Sequence, residues 1–317
     1  MTTDGSAPLR GQSGRLRLLE VLECFTKPLA DYAAEVIEGP ALASADSKAM
    51  QEIAAEASFS TPEWLKPLQN AHSYGCVLTF FLADHLAALA ATCEAPHVGP
   101  SFSFLTIIRP IVEAAPVAHW LLDPRATVLQ RVQRGLVYRW DSAVNLKRNA
   151  HVAAAVAMAD LEMQQIRSFV TEQQSVSTAA AQRWSWAGSP RNGGAIIGGE
   201  QLPHPDAAFA SLLSDRADAS SRTLWNYLSA TGHGTFYALL QAFALEADQA
   251  ARTFDSDAAT AGISVDSGRL MRYGLIAFQG VDAVVNARDT LMGWTPSTAR
   301  VVAAAALRDL HQRLSSL

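Results

Sequence analysis

Arg109 and Glu113 are the residues whose types and spacing most directly suggest chemistry. Four positions apart, they lie about 40° apart around a helix, so both project from one side. The run that carries them, Phe104 to Leu122, is otherwise apolar except for Thr106 and His119. A charged pair on a helix built for burial must be matched, either by polar groups of the next helix or by a ligand. In the ligand case Arg109 is an anchor and Glu113 a positioned acid or base, its proton affinity set by burial and the adjacent guanidinium. In the other case the two form an i,i+4 salt bridge that locks neighbouring helices. Trp120 falls about 20° from Arg109 and would wall a site there, whereas His119 points roughly 120° away from Glu113 and reads as a core or boundary histidine.

A second polar stripe runs Arg131, Arg134, Tyr138, Asp141, Asn145, Arg148 at spacings of three and four, within a sector of about 100°. Val132, Leu136, Trp140 and Val144 occupy the opposite side. A solvated face accounts for such a stripe, but Tyr and Asn among paired charges are less typical of solvent than Glu/Lys mixtures. A third feature is WNYLSATGHGTFY, residues 225–237, where Gly232 and Gly234 flank His233. These glycines let the backbone turn, and a histidine at a helix N-terminus has its neutral form favoured, which suits a base or acceptor. Ser229, His233 and Tyr237 are therefore candidates; a structural histidine tying a helix break is the alternative. Arg269, Arg272, Gln279, Asp282, Asn286 and Asp289 form a fourth stripe, read as surface or interface.

Sharper signatures are missing. There is no HExxH or HxxxH, and the one ExxH, Glu94 to His97, spans Pro96 in an expected loop, so zinc-protease and di-iron spacings are absent. GGAIIGGE has glycines but no GK[ST] and no flanking strand, and neither a GxSxG elbow nor a DDxxD motif occurs. The expectation is no metal and no cofactor.

These residues must be positioned by helices. The 317-residue chain is 49% hydrophobic and only 17% charged, so much helical surface must be buried in a core or a subunit interface, which predicts a homo-oligomer. Its net charge of −5 gives no general attraction to nucleic acid or anionic membrane. Cys24, Cys76 and Cys93 are odd in number and lack CxxC spacing, which reads as reduced core thiols of a cytoplasmic protein. Residues 1–14 read as a disordered leader and 15–317 as one helical domain, with a possible subdivision at 184–206. The apolar window from Cys76 to Ala91 is broken by Asp84 and His85, too short and polar to span a bilayer unaided.

Helical periodicity covers 15–38, with Pro28 inside, and more weakly 43–57. Thr61, Pro62 and Glu63 form a start signal for a helix reaching Cys93, and Ser101 can cap the next, which ends near Asp123. The longest helix is expected from about 126 to 176. It gives way to the irregular segment 184–206, WSWAGSPRNGGAIIGGEQLPHPD, a binding loop or a surface excursion, with Ala195–Ile197 as the short strand candidate. Helices then resume at 207–213, 220–231, 234–254, 264–293 and 295–314, the last started by Thr295 and Pro296. The fold class is thus all-α, an antiparallel multi-helix bundle with one irregular Trp/Gly/Pro-rich loop.

The combination of RPIVEAAPVAHWLLDP, RVQRGL and YLSATGHGTFYALL resembles a group of uncharacterised actinobacterial helical proteins, distantly similar to HEPN-like domains. The resemblance implies that Arg109, Glu113, Arg134, Ser229 and His233 share one polar cluster. HEPN ribonucleases carry Arg-x4-6-His; here Arg222 precedes His233 by eleven positions and Arg148 precedes His151 by three, so ribonuclease activity is not implied. The expected function is a pocket for a small polar or anionic metabolite, with Arg109, Trp120, Arg134, Tyr138, Asp141, Ser229 and Tyr237 binding and Glu113 and His233 as acid and base. An RNA-acting or toxin/antitoxin-type protein and a non-enzymatic scaffold are the alternatives.

Overall fold

The computed structural model describes residues 9–40, 42–56, 59, 65–94, 103–188, 194–213, 228 and 267–315. The start signal at 61–63, Ser101 and the helices expected at 220–231 and 234–254 lie outside these, apart from Leu228, which is helical and buried. The described part is all-α: α1 (Leu9–Ile37), α2 (Lys48–Ala55), α3 (Pro67–Glu94), α4 (Ser103–Leu122), α5 (Val128–Asn149), α6 (Ala153–Ser175), α7 (Thr178–Arg183), α8 (Pro205–Leu212), α9 (Ser267–Met292) and α10 (Thr298–Ser315). Between α7 and α8 lie three short strands, β1 (Trp186–Gly188), β2 (Ala195–Ile197) and β3 (Glu200–Gln201).

Local chemistry sets several boundaries. Ser47 caps α2 by accepting from the Met50 N–H, and Thr127 with Gln130 forms a reciprocal capping box at the start of α5. Pro205 occupies the first turn of α8, where a missing N–H is harmless. Gly293, at φ +69°, ends α9 in the left-handed conformation, and the Trp294 N–H closes back on Asp289 O at 2.9 Å. Ser297, not Thr295, caps α10, accepting from the Arg300 N–H at 3.1 Å. α1 begins at Leu9, inside the stretch read as a leader. Helices α1 and α4 continue through Pro28, Pro110 and Pro116.

The helix expected at 126–176 is two helices, broken at Ala150–Val152. Neither glycine nor proline stands there; the reason is tertiary. An unbroken helix of that length would extend about 75 Å and carry Ile166, Phe169 and Val170 away from any core. Folding back buries them against Val132, Leu136 and Val137, and Lys147 pairs with Asp160 across the hairpin at 2.6 Å.

Two clusters of buried side chains organise the bundle. The larger joins α1, α3, α4, α9 and α10 through residues such as Phe25, Leu29, Leu86, Ile108, Ile111, Phe278 and Leu307. The second joins α5, α6 and the small sheet through Leu136, Ile166, Phe169, Trp184 and Ile197. The sheet is antiparallel in the order β1-β2-β3, so the segment read as irregular is partly ordered and its strand candidate is β2. Gly198 and Gly199, at φ +60° and +88°, make the two-residue turn between β2 and β3, where positive φ at both positions matches the strand twist. No disulfide joins the three cysteines; Cys76 and Cys93 are half-buried and pack against the larger cluster, whereas Cys24 is exposed, so the core placement expected for all three fails at Cys24.

Candidate functional site

The C-terminal end of α4 is where the elements converge. Its last carbonyls have no partner within the helix, and no glycine cap follows. Cations from other elements take them instead. Arg134 Nη1 donates to Trp120 O at 2.7 Å, and Arg131 donates to Leu121 O at 2.5 Å and Asp123 O at 2.7 Å. Just beyond, Lys48 Nζ donates to Pro124 O at 2.5 Å and Ala126 O at 3.0 Å. Positive charge here also complements the negative end of the helix dipole.

Arg131 is fully buried and requires a counter-charge, which Glu52 of α2, 2% exposed, provides. Arg131 Nε donates to Glu52 Oε2 at 2.5 Å, the His72 Nε2–H reaches the same oxygen at 2.9 Å, and Lys48 Nζ lies 3.6 Å from Oε1. Burial pushes the Glu52 carboxyl upward, but the hydrogen bond from His72 and the Arg131 charge outweigh it and hold the group below its ordinary value. Burial lowers the Arg131 guanidinium, with Glu52 opposing. Arg134 has a different partner: Glu200 of β3 accepts from Arg134 Nε at 2.9 Å and from Trp120 Nε1 at 3.0 Å, while the guanidinium lies 5.5 Å from the Trp120 ring centroid. The strand segment is thus tied to α4 and α5 at one end. At the other, Arg167 of α6 sits 5.7 and 5.5 Å from the rings of Trp140 and Trp186, which meet edge to face at 4.7 Å.

Beside this junction is a cleft of about 650 Å³ between the end of α4, the Pro203–Leu212 segment and α9. Pro116, Trp120, Pro203 and Leu212 form its apolar walls; His119, Asp123, Ser211 and Asn286 supply polar groups. Burial lowers the pKa of His119, opposed by Asp123, so its imidazole is neutral at pH 7. Asp123 is held low: burial raises it, and the hydrogen bonds from Arg125 more than compensate. Arg125 pairs with Asp123 at 3.0 Å, so the charges lining the cleft cancel.

The residues singled out in the sequence separate into groups. Trp120 and Arg134 are together, at the cleft and its supporting network. Arg109 and Glu113 pair with each other, Nε to Oε1 at 2.8 Å, with side chains 25% and 40% exposed, and do not line the cleft. They share the helix face of Trp120, yet eleven and seven residues place Arg109 and Glu113 about 16 and 10 Å from it along the axis. Tyr138 and Asp141 are half-buried further along α5: Tyr138 packs on Tyr74 with centroids 5.2 Å apart, and Asp141 accepts from Asn145 at 2.9 Å. Burial raises both groups, with Arg148 opposing at Asp141. Asn145 and Arg148 are exposed. Ser229, His233 and Tyr237 lie outside the described residues. In the fourth stripe, Asp289 is not at the surface but buried between Arg288 and Arg300.

Glu52, His72, Lys48 and Glu200 were not visible from sequence. None of them has its partner nearby in a recognisable pattern: Glu52 meets Arg131 across 79 positions and Glu200 meets Arg134 across 66. The one local signal is the Lys48–Glu52 i,i+4 pair flanked by buried Ala49. Among the described residues no three His, Cys, Asp or Glu side chains come together as metal ligands. No protein-family model, no curated protein and no solved structure matches this chain.

Proposed function

We propose that the protein binds a small, neutral, polar molecule with a flat ring in the cleft at the end of α4. The observation that carries this reading is the lining of that 650 Å³ space, in which Trp120 and three prolines stand together with the His119 imidazole, the Asn286 amide and the hydroxyls of Ser211 and Thr290. Apolar walls with a few convergent polar groups are the usual make-up of a small-molecule site. The anionic ligand that free arginines would imply is disfavoured, since Arg109 faces Glu113 and Arg134 faces Glu200. The same commitments weigh against RNA contact through the basic stripe, whose Arg131 is fully buried. Any proton transfer in the cleft falls to His119, the titratable group there that is neutral and can both accept and donate.

Ligand-observed NMR against adenine, nicotinamide, uracil, benzoate and inorganic phosphate, at pH 7, tests the reading. Binding of one or more neutral rings, weakened at least tenfold in Trp120→Leu and Asn286→Ala, is the expected result. Binding confined to benzoate or phosphate, or neutral-ring binding unchanged in both variants, would place the ligand chemistry or the site elsewhere.

A further inference from the structure

Helix α3 is long and apolar enough to cross a membrane by length and composition, yet only 33% of its most apolar stretch is buried. Its outward arc carries Val77, Phe80 and Phe81. One turn below them, Tyr74 lines a groove of about 270 Å³ with Leu146 of α5 and Met158 of α6, and Leu161 is one turn from Met158. The six aliphatic and phenyl side chains are between 37% and 67% exposed, and the groove joins the three helices that carry them. It is distinct from the cleft, which is built from α4, α8 and α9.

We infer that this face is the contact between two copies of the chain, arranged about a two-fold axis. Its exposed apolar area is on the order of 600 Å², at the upper end of what a monomeric protein presents in one patch. A two-fold arrangement buries it twice, about 1,200 Å², the lower bound for a stable interface before the polar rim is added. A self-complementary patch is what a two-fold contact requires, because each residue must be acceptable to its own image. The surrounding charges fit a second copy better than a bilayer. Arg139, Lys147 and Arg148 balance Asp84, Asp160 and Glu162, with Arg139–Glu162 and Lys147–Asp160 already paired, so the rim neither repels its image nor attracts anionic headgroups.

Sedimentation velocity of the full chain from 1 to 50 µM tests this. The wild type is expected at twice 33.9 kDa. Phe80→Glu and Met158→Glu, each placing a charge at an exposed position, are expected at the single mass with unchanged far-UV circular dichroism. Val301→Glu, at an exposed apolar position on α10, should keep the doubled mass. A monomeric wild type overturns the inference, as does a dimer that survives both face variants. A monomeric wild type that co-sediments with phosphatidylcholine vesicles, and loses this in Phe80→Glu, would identify a lipid surface as the occupant instead.

Discussion

Replacing Arg131 by alanine removes a side chain of α5 that binds both α2 and the end of α4. Two losses follow. The Glu52 carboxylate, 2% exposed, keeps only His72 and a more distant Lys48, and breaking a buried pair in this way costs roughly 3–5 kcal/mol. The Leu121 carbonyl loses its donor, at about 1–3 kcal/mol where water cannot replace it, while Asp123 O loses one of two donors and keeps the Ala126 N–H at 3.1 Å. These figures overlap, and the remaining cations soften the first, so the expected loss is about 4 kcal/mol, a large share of the 5–15 kcal/mol that holds a domain folded. Glu52→Gln keeps the shape while removing the charge and should lose about 3 kcal/mol. The double variant Arg131→Ala/Glu52→Gln should then lose at least about 2 kcal/mol less than the two single losses together, because neither partner is left charged and alone. Urea titration followed by tryptophan fluorescence and circular dichroism measures all three, with an unchanged m-value required for the comparison. A loss below about 1 kcal/mol for Arg131→Ala, or strict additivity in the double variant, would refute the account of this network.

Other outcomes follow from single groups. Since Glu52 titrates below its ordinary 4.5 in the folded chain, its contribution is full above that value and is lost as pH falls through the lower folded pKa. Acid unfolding between pH 5 and 3 should therefore be shallower in Glu52→Gln than in wild type. His119, depressed below 6.5 by burial, contributes stability that is full above 6.5 and declines as pH falls toward its folded pKa; His119→Asn should flatten the stability profile between pH 7 and 5. Gly198→Ala combines a positive φ with a Cβ placed 2.0 Å from Gln133 Nε2 and 2.4 Å from Arg183 O, so a loss of about 2–4 kcal/mol is expected in urea titration. Arg167→Ala should free the β1–β2 segment from α6, giving faster amide exchange at Ile196 and Ile197 while leaving exchange in α4 unchanged.

The fold class was legible because helical periodicity and cap chemistry are local. Thr127 with Gln130, Pro205 and the Gly198–Gly199 turn are equally local but went unread in the sequence, and the start expected at Thr295 and Pro296 is set by Ser297 instead. What was not legible depended on distant partners. The α5–α6 break has no glycine or proline and exists because Ile166, Phe169 and Val170 need Val132 and Leu136. The Arg109–Glu113 pair was read correctly as facing one side of its helix, but angle alone carries no information about distance along the axis. That omission merged two locations, the pair and Trp120, into one site.

The arginine stripe of α5 shows how far such a reading can reach. From sequence, Arg131 and Arg134 on one face offered a solvated stripe, ligand anchoring or phosphate contact. A demand for cations was nevertheless visible nearby: α4 runs into Asp123–Pro124 with no glycine to turn its carbonyls back, so donors had to come from elsewhere. Arg125 turns to the Asp123 carboxylate, and Arg131 and Arg134, a short loop and one or two turns downstream, supply the donors instead, their planar forks reaching carbonyl and carboxylate together. Once they are spent on helix ends and on Glu52 and Glu200, the adjoining cleft is left with His119 neutral and Asp123 neutralised by Arg125. The selectivity of the cleft follows from that order of claims: backbone carbonyls take the cations first, and a charged ligand entering afterwards would find no unmatched counter-charge among the groups that line it. Creating one by Asp123→Asn, which leaves the lining Arg125 without its carboxylate, should therefore shift the preference of the cleft from neutral rings toward benzoate.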